Sequence, residues 1–547
     1  MDKNIYFREW VHNWTWGARA ALFLILLFSI LQFSLFSLTQ NYVVSYFGAQ
    51  PEDITFSIQV TYVSLLFCLP IQIRFLNYFN TKRYLIVVLL AGIILNLLCM
   101  HTTDITLFTV LRFFQGMVIG LMAGAMLTLI FTRLHEEKKQ AVGYSVFYGT
   151  LLGSSVAVGA PSAWIIDNMD WKMIYYIVIV LQVISIAIVY LIFNKERVHR
   201  KYPLTQIDWK AYIVLATGML CVAYCMVYGP KEYWFESRYI TYVCMLAFAL
   251  LYLFIYRQVK SKRPIIHFSI FGSTKFVTGL LLLALFYGFK DTINLVYSYI
   301  STVTQWSNYQ YIELAFFNIA GLAFSMYLSS AMVMRKKHSI RVFLVAGFGI
   351  MLAFNIWMYF IISTDLSFID LVIPIFLQGA ASGMLFVPIA TYILSTVPVN
   401  TGLSGSLVAG HVRLFATLNS FAGYYTLQLF YNQHYKEQFL AHLTPYDTTY
   451  TDANSAAVQS YVSKGFTQQE AIALAHSSIM KQLTTQAQLL TSQTIFLIVA
   501  TAISVIIVLV LTWPLTQKVY QKYISGKITS KKTTSQQPQI QAHNNYF

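Results

Sequence analysis

Apolar runs of about 20 to 29 residues recur along this chain, each closed by a short polar or basic stretch. At ~1.5 Å of rise per residue, about twenty helical residues cross ~30 Å of hydrocarbon. The runs predict fourteen membrane-spanning helices, near residues 19–43, 54–76, 83–103, 106–132, 141–166, 173–193, 209–230, 239–258, 276–302, 311–334, 340–362, 367–394, 402–430 and 491–515. The longest polar interruption, residues 431–490, reads as an outer segment with a helical stretch around 468–489. Residues 516–547, ending in Gln- and Asn-rich sequence, read as a disordered tail.

Composition agrees with a chain that lives in lipid. Of 547 residues 57% are hydrophobic and 11% charged, where soluble domains carry about 25% charged residues. The net charge of +16 is a topology signal. With the termini placed in the cytoplasm, 28 of the 37 Lys and Arg residues fall on the cytoplasmic side, as the positive-inside rule requires. That distribution gives no reason to expect nucleic acid. Residues 1–18, with Trp10, Trp14 and Trp16 among charges, suit a segment lying along the membrane surface rather than a cleaved signal. Cys68, Cys99, Cys221, Cys225 and Cys244 all fall within apolar spans, and no disulfide framework or metal site is indicated.

One phrase appears twice, 263 residues apart. Arg112-Phe113-Phe114-Gln115-Gly116 is followed by Gly120, and Ile375-Phe376-Leu377-Gln378-Gly379 by Gly383. A transmembrane phrase repeated at this distance implies two related halves around a central site. The glycines, four apart, give a small face on which helices can approach closely. Packing explains them, but not Arg112, since a guanidinium inside a span needs a partner.

Arg112-x-x-Gln115-Gly116 resembles the fourth-helix motif of the major facilitator superfamily. The fifth span, with Gly149, Gly153, Gly159, Pro161 and Trp164 followed by Trp171-Lys172-Met173-Ile174-Tyr175, is similar to the fifth helix of the fourteen-span drug:proton antiporters. There the proline is displaced, and Ser162 and Ala163 stand where that motif has paired glycines. The first cytoplasmic loop keeps the basic end, Lys82-Arg83, and has Asn77 at the acidic position. Arg263-Pro264-Ile265-Ile266-His267 and the Gly402–Arg413 segment resemble further phrases of that family. The resemblance implies an all-α polytopic membrane protein with the major facilitator fold. Its six-helix halves would be 19–193 and 276–515, with two inserted helices within 194–275. It also implies a secondary transporter, not an enzyme, exporting small lipophilic or amphiphilic compounds by alternating access, with the proton gradient as energy source and no cofactor. It would act as a monomer in the inner membrane, and a periplasmic adaptor and outer-membrane channel are conceivable partners. A dedicated metabolite or siderophore carrier and a polytopic membrane enzyme stay open as alternatives.

Proton coupling needs a titratable group in the membrane. Asp291 is the one acidic residue well inside a predicted span, and it reads either as the proton site or as a structural carboxylate paired to Arg413, Arg112 or Lys290. Adjacent helical positions point about 100° apart, so Lys290 need not pair with Asp291. Glu313 and His411 are the other coupling candidates. Lys82 and Arg83, with Arg112, Arg413 and Lys290, are candidate gating or structural charges. Gln40, Asn41, Gln115, Tyr148, Tyr297, Asn318, Gln378 and Asn419 are candidates for a mid-membrane substrate pocket; Gln115 and Gln378 read equally as ties between helices. Gly116, Gly120, Gly153, Gly159, Pro161, Gly379 and Gly383 are assigned to helix packing.

Overall fold

A computed structural model describes residues 6–12, 14–34, 40–133, 150, 154, 159, 161–162, 164–165, 168–194, 204–261, 263–304, 306–335, 339–398, 401–444 and 446–534. Its longer helices are α1 (Thr15–Leu31), α2 (Gln40–Phe47), α3 (Pro51–Tyr78), α4 (Thr81–His101), α5 (Ile105–Arg133), α6 (Met173–Ile192), α7 (Trp209–Tyr228) and α8 (Arg238–Lys260). They continue with α9 (Thr274–Lys290), α10 (Ile293–Tyr299), α11 (Asn308–Met334), α12 (Ile340–Ile361), α13 (Phe368–Ser395), α14 (Gly402–Leu440), α15 (Thr448–Ser463) and α16 (Gln468–Thr534). Among the described residues, twelve helices are long and apolar enough to cross a membrane. Predicted span 402–430 lies within α14, and most of predicted span 141–166 falls outside the described residues.

Two helical groups share one packing plan. In the first, α3 packs along α5, α4 along α6, and α1 against α5 and α6. In the second, α11 packs along α13, α12 along α13 and α16, and α9 on α13 and α14. The inserted α7 and α8 pack on each other, and α7 touches both α3 and α14. Asp208 fixes the start of α7, accepting from the Ala211 amide at 3.3 Å. Arg257 at the end of α8 donates to both its oxygens at 2.8 and 2.7 Å. That forked contact holds the Asp208 carboxyl below the usual carboxylate range.

Three boundaries differ from the sequence reading. The first span does not run to 43: α1 passes through a 3₁₀ turn, Gln32–Ser34, and α2 starts separately at Gln40. The segment 431–490 is mostly helical. α14 and α16 each continue beyond their apolar parts, Tyr435 and Thr494 hydroxyls join them at 2.6 Å, and α15 packs on α16. Gly465, with φ +94°, makes the turn between α15 and α16 that a side chain would strain. Finally, α16 continues to Thr534, whereas the tail was expected to be disordered from 516; residues 535–547 lie outside the described residues. In the last two cases polar residues that continue a helical register carried no hydrophobic period to reveal the helix.

Candidate functional site: a broken helix at the seam

The predicted ninth span is interrupted at its middle. α9 ends at Lys290, Asp291 is its C-cap, and α10 starts at Ile293. Across the break the ladder tightens: the Thr292 amide donates to Phe289 at 3.3 Å and the Asn294 amide to Asp291 at 3.0 Å. This frees the carbonyls of Gly288 and Lys290, which in lipid must find other donors. They do so from two neighbouring helices. Gln378 Nε2 on α13 donates to the Lys290 carbonyl at 2.7 Å. Ser420 Oγ and the Tyr424 hydroxyl on α14 donate to the Gly288 carbonyl at 3.1 and 2.9 Å. The break is thus built into the packing.

Charge gathers at the same place. Asp291 is 8% exposed, and Lys290 Nζ lies 3.1 Å from its Oδ1. Asp291 keeps a right-handed helical φ of −76°, and the long Lys290 side chain reaches round the helix end to meet it. Arg413 on α14 sits 5.0 Å from the Tyr287 ring and 5.5 Å from the Tyr62 ring, within cation–π range. Tyr62 belongs to α3, in the first group of helices. The cluster therefore stands on the seam where the two groups meet. Discontinuous helices at mid-membrane are how many secondary carriers build a site.

Arg112 takes another role. It is fully buried, donating to Gln115 Oε1 at 2.6 Å and to the Gln32 carbonyl at 3.4 Å. Gln115 Nε2 donates to Asn96 Oδ1, and Asn96 Nδ2 to Gln182 Oε1 at 3.0 Å. This chain crosses α4, α5 and α6 wholly inside the first helical group. Gln115 is a tie between helices there, and Arg112 is not at the Asp291 cluster.

The other candidates scatter. Gln378 and Asn318 bond each other at 2.6 Å beneath the break, and Tyr297 packs its ring 4.6 Å from Tyr311. His411 is half-buried, with Nδ1 2.7 Å from the Leu407 carbonyl. Glu313 and Asn419 are exposed, away from any enclosed site. Gln40 bonds Thr55 at 3.1 Å, at the start of α3. Lys82 is buried and donates to the Tyr190 carbonyl at 2.8 Å, a tie within the first group, while Arg83 is exposed. Gly159 is buried and Pro161 half-buried. Tyr148, Gly153 and the side chain of Asn41 lie outside the described residues.

The packing glycines meet backbone. A methyl at Gly116 would fall 2.2 Å from the Thr61 carbonyl oxygen, and one at Gly120 2.5 Å from that of Leu65. At Gly379 and Gly383 the corresponding distances are 1.9 Å to Asn318 and 2.4 Å to Leu322. Sequence reasoning missed Glu52, which is 6% exposed at the start of α3. It stands in Pro51-Glu52-Asp53, which reads locally as an ordinary helix start. It also missed Asn96 and Gln182, single polar residues in apolar runs, and that isolation was their signal.

The Major Facilitator Superfamily profile matches residues 22–421. The chain belongs to the Major Facilitator Superfamily. It is 22% identical over 384 residues to the multidrug export protein EmrB of Haemophilus influenzae, covering 68% of this chain and 72% of that one. It is 21% identical over 413 residues to the probable multidrug resistance protein EmrY of Escherichia coli, covering 75% and 78%. The fatty acid resistance protein FarB of Neisseria gonorrhoeae is 22% identical over 380 residues, covering 69% and 73%. Among solved structures, a POT family transporter in complex with a thioalcohol conjugated peptide superposes with a TM-score of 0.54 at 12% identity, covering 89% of this chain and 96% of that one. This superfamily chain is a multi-pass membrane transporter of small molecules rather than an enzyme.

Proposed function

We propose that this transporter is a proton-coupled exporter of small lipophilic or amphiphilic compounds, working by alternating access between its two helical groups. In this reading residues 141–166 and 402–430 complete fourteen spans, and both termini lie in the cytoplasm of the cell's inner membrane. The observation that carries it is the part-buried Lys290–Asp291 pair at the helix break, with Arg413 reaching across the seam to Tyr62. A proton placed on Asp291 would leave Lys290 without its carboxylate in a medium where uncompensated charge is costly. Protonation there favours a rearrangement that rehydrates Lys290, and this couples a proton to the seam. The relatives' names, multidrug export among them, support the export direction.

The groups gathered here favour one substrate class over another. Lys290 and Arg413 both lie by the Tyr287 ring, and Asp291 pairs with Lys290. Rings alone suit lipophilic cations, but the Lys290 ammonium and the Arg413 guanidinium suit amphiphiles with an anionic head. The FarB name, fatty acid resistance, points the same way. The test is flux in proteoliposomes under an imposed pH gradient, comparing a fluorescent lipophilic cation with a fluorescent fatty acid. Gradient-driven movement of either supports the exporter reading, and movement of the fatty acid alone narrows it to anionic heads. No movement of either by correctly oriented protein would favour a dedicated metabolite or siderophore carrier.

The helical projection made by the ends of α14 and α16 with α15 also supports docking of a periplasmic adaptor leading to an outer-membrane channel. At ~1.5 Å per residue, the 39 residues of α14 reach about 58 Å, well beyond ~30 Å of hydrocarbon. If removing residues 443–466 left adaptor cross-linking unchanged, that role would be lost.

A further inference from the structure

The turn joining the two inserted helices is tied to both helical groups at once. Its sequence is Gly229-Pro230-Lys231-Glu232-Tyr233-Trp234. Lys231 Nζ lies 3.5 Å from Glu52 Oε2 and donates to Gln50 Oε1 at 2.7 Å, both at the start of α3 in the first group. Just below, the Tyr228 hydroxyl donates to Asp53 Oδ1 at 2.5 Å. Trp234 Nε1 donates to Thr426 Oγ1 at 3.2 Å, on α14 in the second group. The circuit is closed by Tyr425, next to Thr426, whose hydroxyl donates to Glu52 Oε1 at 3.0 Å.

Three features separate this joint from an ordinary surface ion pair, which contributes about 0–1 kcal/mol. Glu52 is 6% exposed, so its carboxylate depends on these donors. The joint also brings three bodies together: α3, α14 and the inserted pair. And the turn is held under backbone strain. Tyr233 and Trp234 have φ of 51° and 57°, a left-handed conformation that side chains rarely adopt. Gly229 makes room for it, since a methyl there would fall 2.8 Å from the Trp234 ring. In that conformation Trp234 reaches Thr426 on α14. Lys231, Trp234 and Tyr425 also form part of the wall of a cleft of about 1020 Å³ on this face.

We propose that the inserted helix pair works as a clasp, with Glu52, Lys231 and Tyr425 as gating residues that hold the two helical groups together on the face opposite the termini. Alternating access then requires this joint to part, and the inserted helices set how readily it does. The inference rests on the carrier reading above and adds a role for the inserted pair and for a carboxylate outside the central cluster.

The test measures the gap between the groups directly and needs no substrate. Spin labels at Leu98→Cys on α4 and Phe360→Cys on α12, in a chain with its five native cysteines replaced by serine, report the separation of the two groups at that face. Both positions are exposed and neither belongs to the clasp. In Glu52→Ala and in Lys231→Met, the long-distance component should grow roughly tenfold, the shift expected from losing one charge-assisted hydrogen bond. Lys231 is 40% exposed, so its variant remains informative if the Glu52 variant fails to fold. The exchange Glu52→Lys with Lys231→Glu should return the distribution to that of the parent. Unchanged distributions in both single variants, or an exchange that stays as open as they are, would overturn the clasp. A parent protein that moved no substrate would instead sink the carrier reading and leave the distance result standing.

Discussion

In the first half, Gly116 and Gly120 set α5 against the carbonyls of Thr61 and Leu65 on α3. In the second, Gly379 and Gly383 set α13 against those of Asn318 and Leu322 on α11. The spacing, the partner helix and the atoms met are the same, and so is the glutamine just before the first glycine. What that glutamine does differs. Gln115 closes a polar chain running from Arg112 through Asn96 to Gln182, all fully buried. Gln378 reaches instead to the carbonyl freed by the break at Lys290, and Arg112 has Ile375 as its counterpart. One half keeps its charge sealed inside, while the other suspends a carboxylate and a cation at the seam. Repetition preserved the joint and divided the polar groups: one half with its guanidinium sealed inside and one with its charge pair at a helix break.

The sharpest way to break the shared part is to fill the joint. Gly379→Ala and Gly116→Ala each push a methyl into backbone that cannot give way. Each should cost about 2–3 kcal/mol or more and sharply lower the yield of folded protein, read by thermal unfolding in detergent. Next comes Arg112→Met, which leaves Gln115 and the Gln32 carbonyl without their donor. We expect a loss of about 2–4 kcal/mol, with pH-gradient coupling retained in whatever protein folds. Gln378→Leu should cost about 1–3 kcal/mol by stranding the Lys290 carbonyl, and should lower transport more than Gln115→Leu does. That asymmetry is what the division of polar groups predicts, and equal effects of the two on transport would erase it. The smallest effect serves as a control. A methyl at Gly349 in α12 meets open space, so Gly349→Ala should be neutral or stabilise by up to about 1 kcal/mol.

Much of this was legible in the sequence. The twelve spans follow from apolar length, and the twin glycine joints from the repeated phrase. Asp291 stood out because a carboxylate in mid-span is rare. The break itself was not legible, since Lys290-Asp291-Thr292 contains neither Pro nor Gly and its freed carbonyls are satisfied by Gln378, Ser420 and Tyr424, remote in sequence. Glu52 was hidden by a local pattern that fits a plain helix start, because its burial comes from Lys231 and Tyr425, which lie 179 and 373 positions away. Arg112 was rightly read as needing partners, but the chain that supplies them runs through residues chosen by packing. Local pattern gave the elements and the joints, and tertiary contact decided where charge sits.

The measurement that bears most directly on the central claim is proton-gradient-driven efflux from proteoliposomes by the parent protein and by Asp291→Asn, with equal amounts of folded, oriented chain. The account predicts that the parent moves substrate against its gradient and that Asp291→Asn still binds and exchanges substrate but no longer responds to the pH gradient. Gradient-driven efflux that survives undiminished in Asp291→Asn would contradict it and move the coupling elsewhere in the chain.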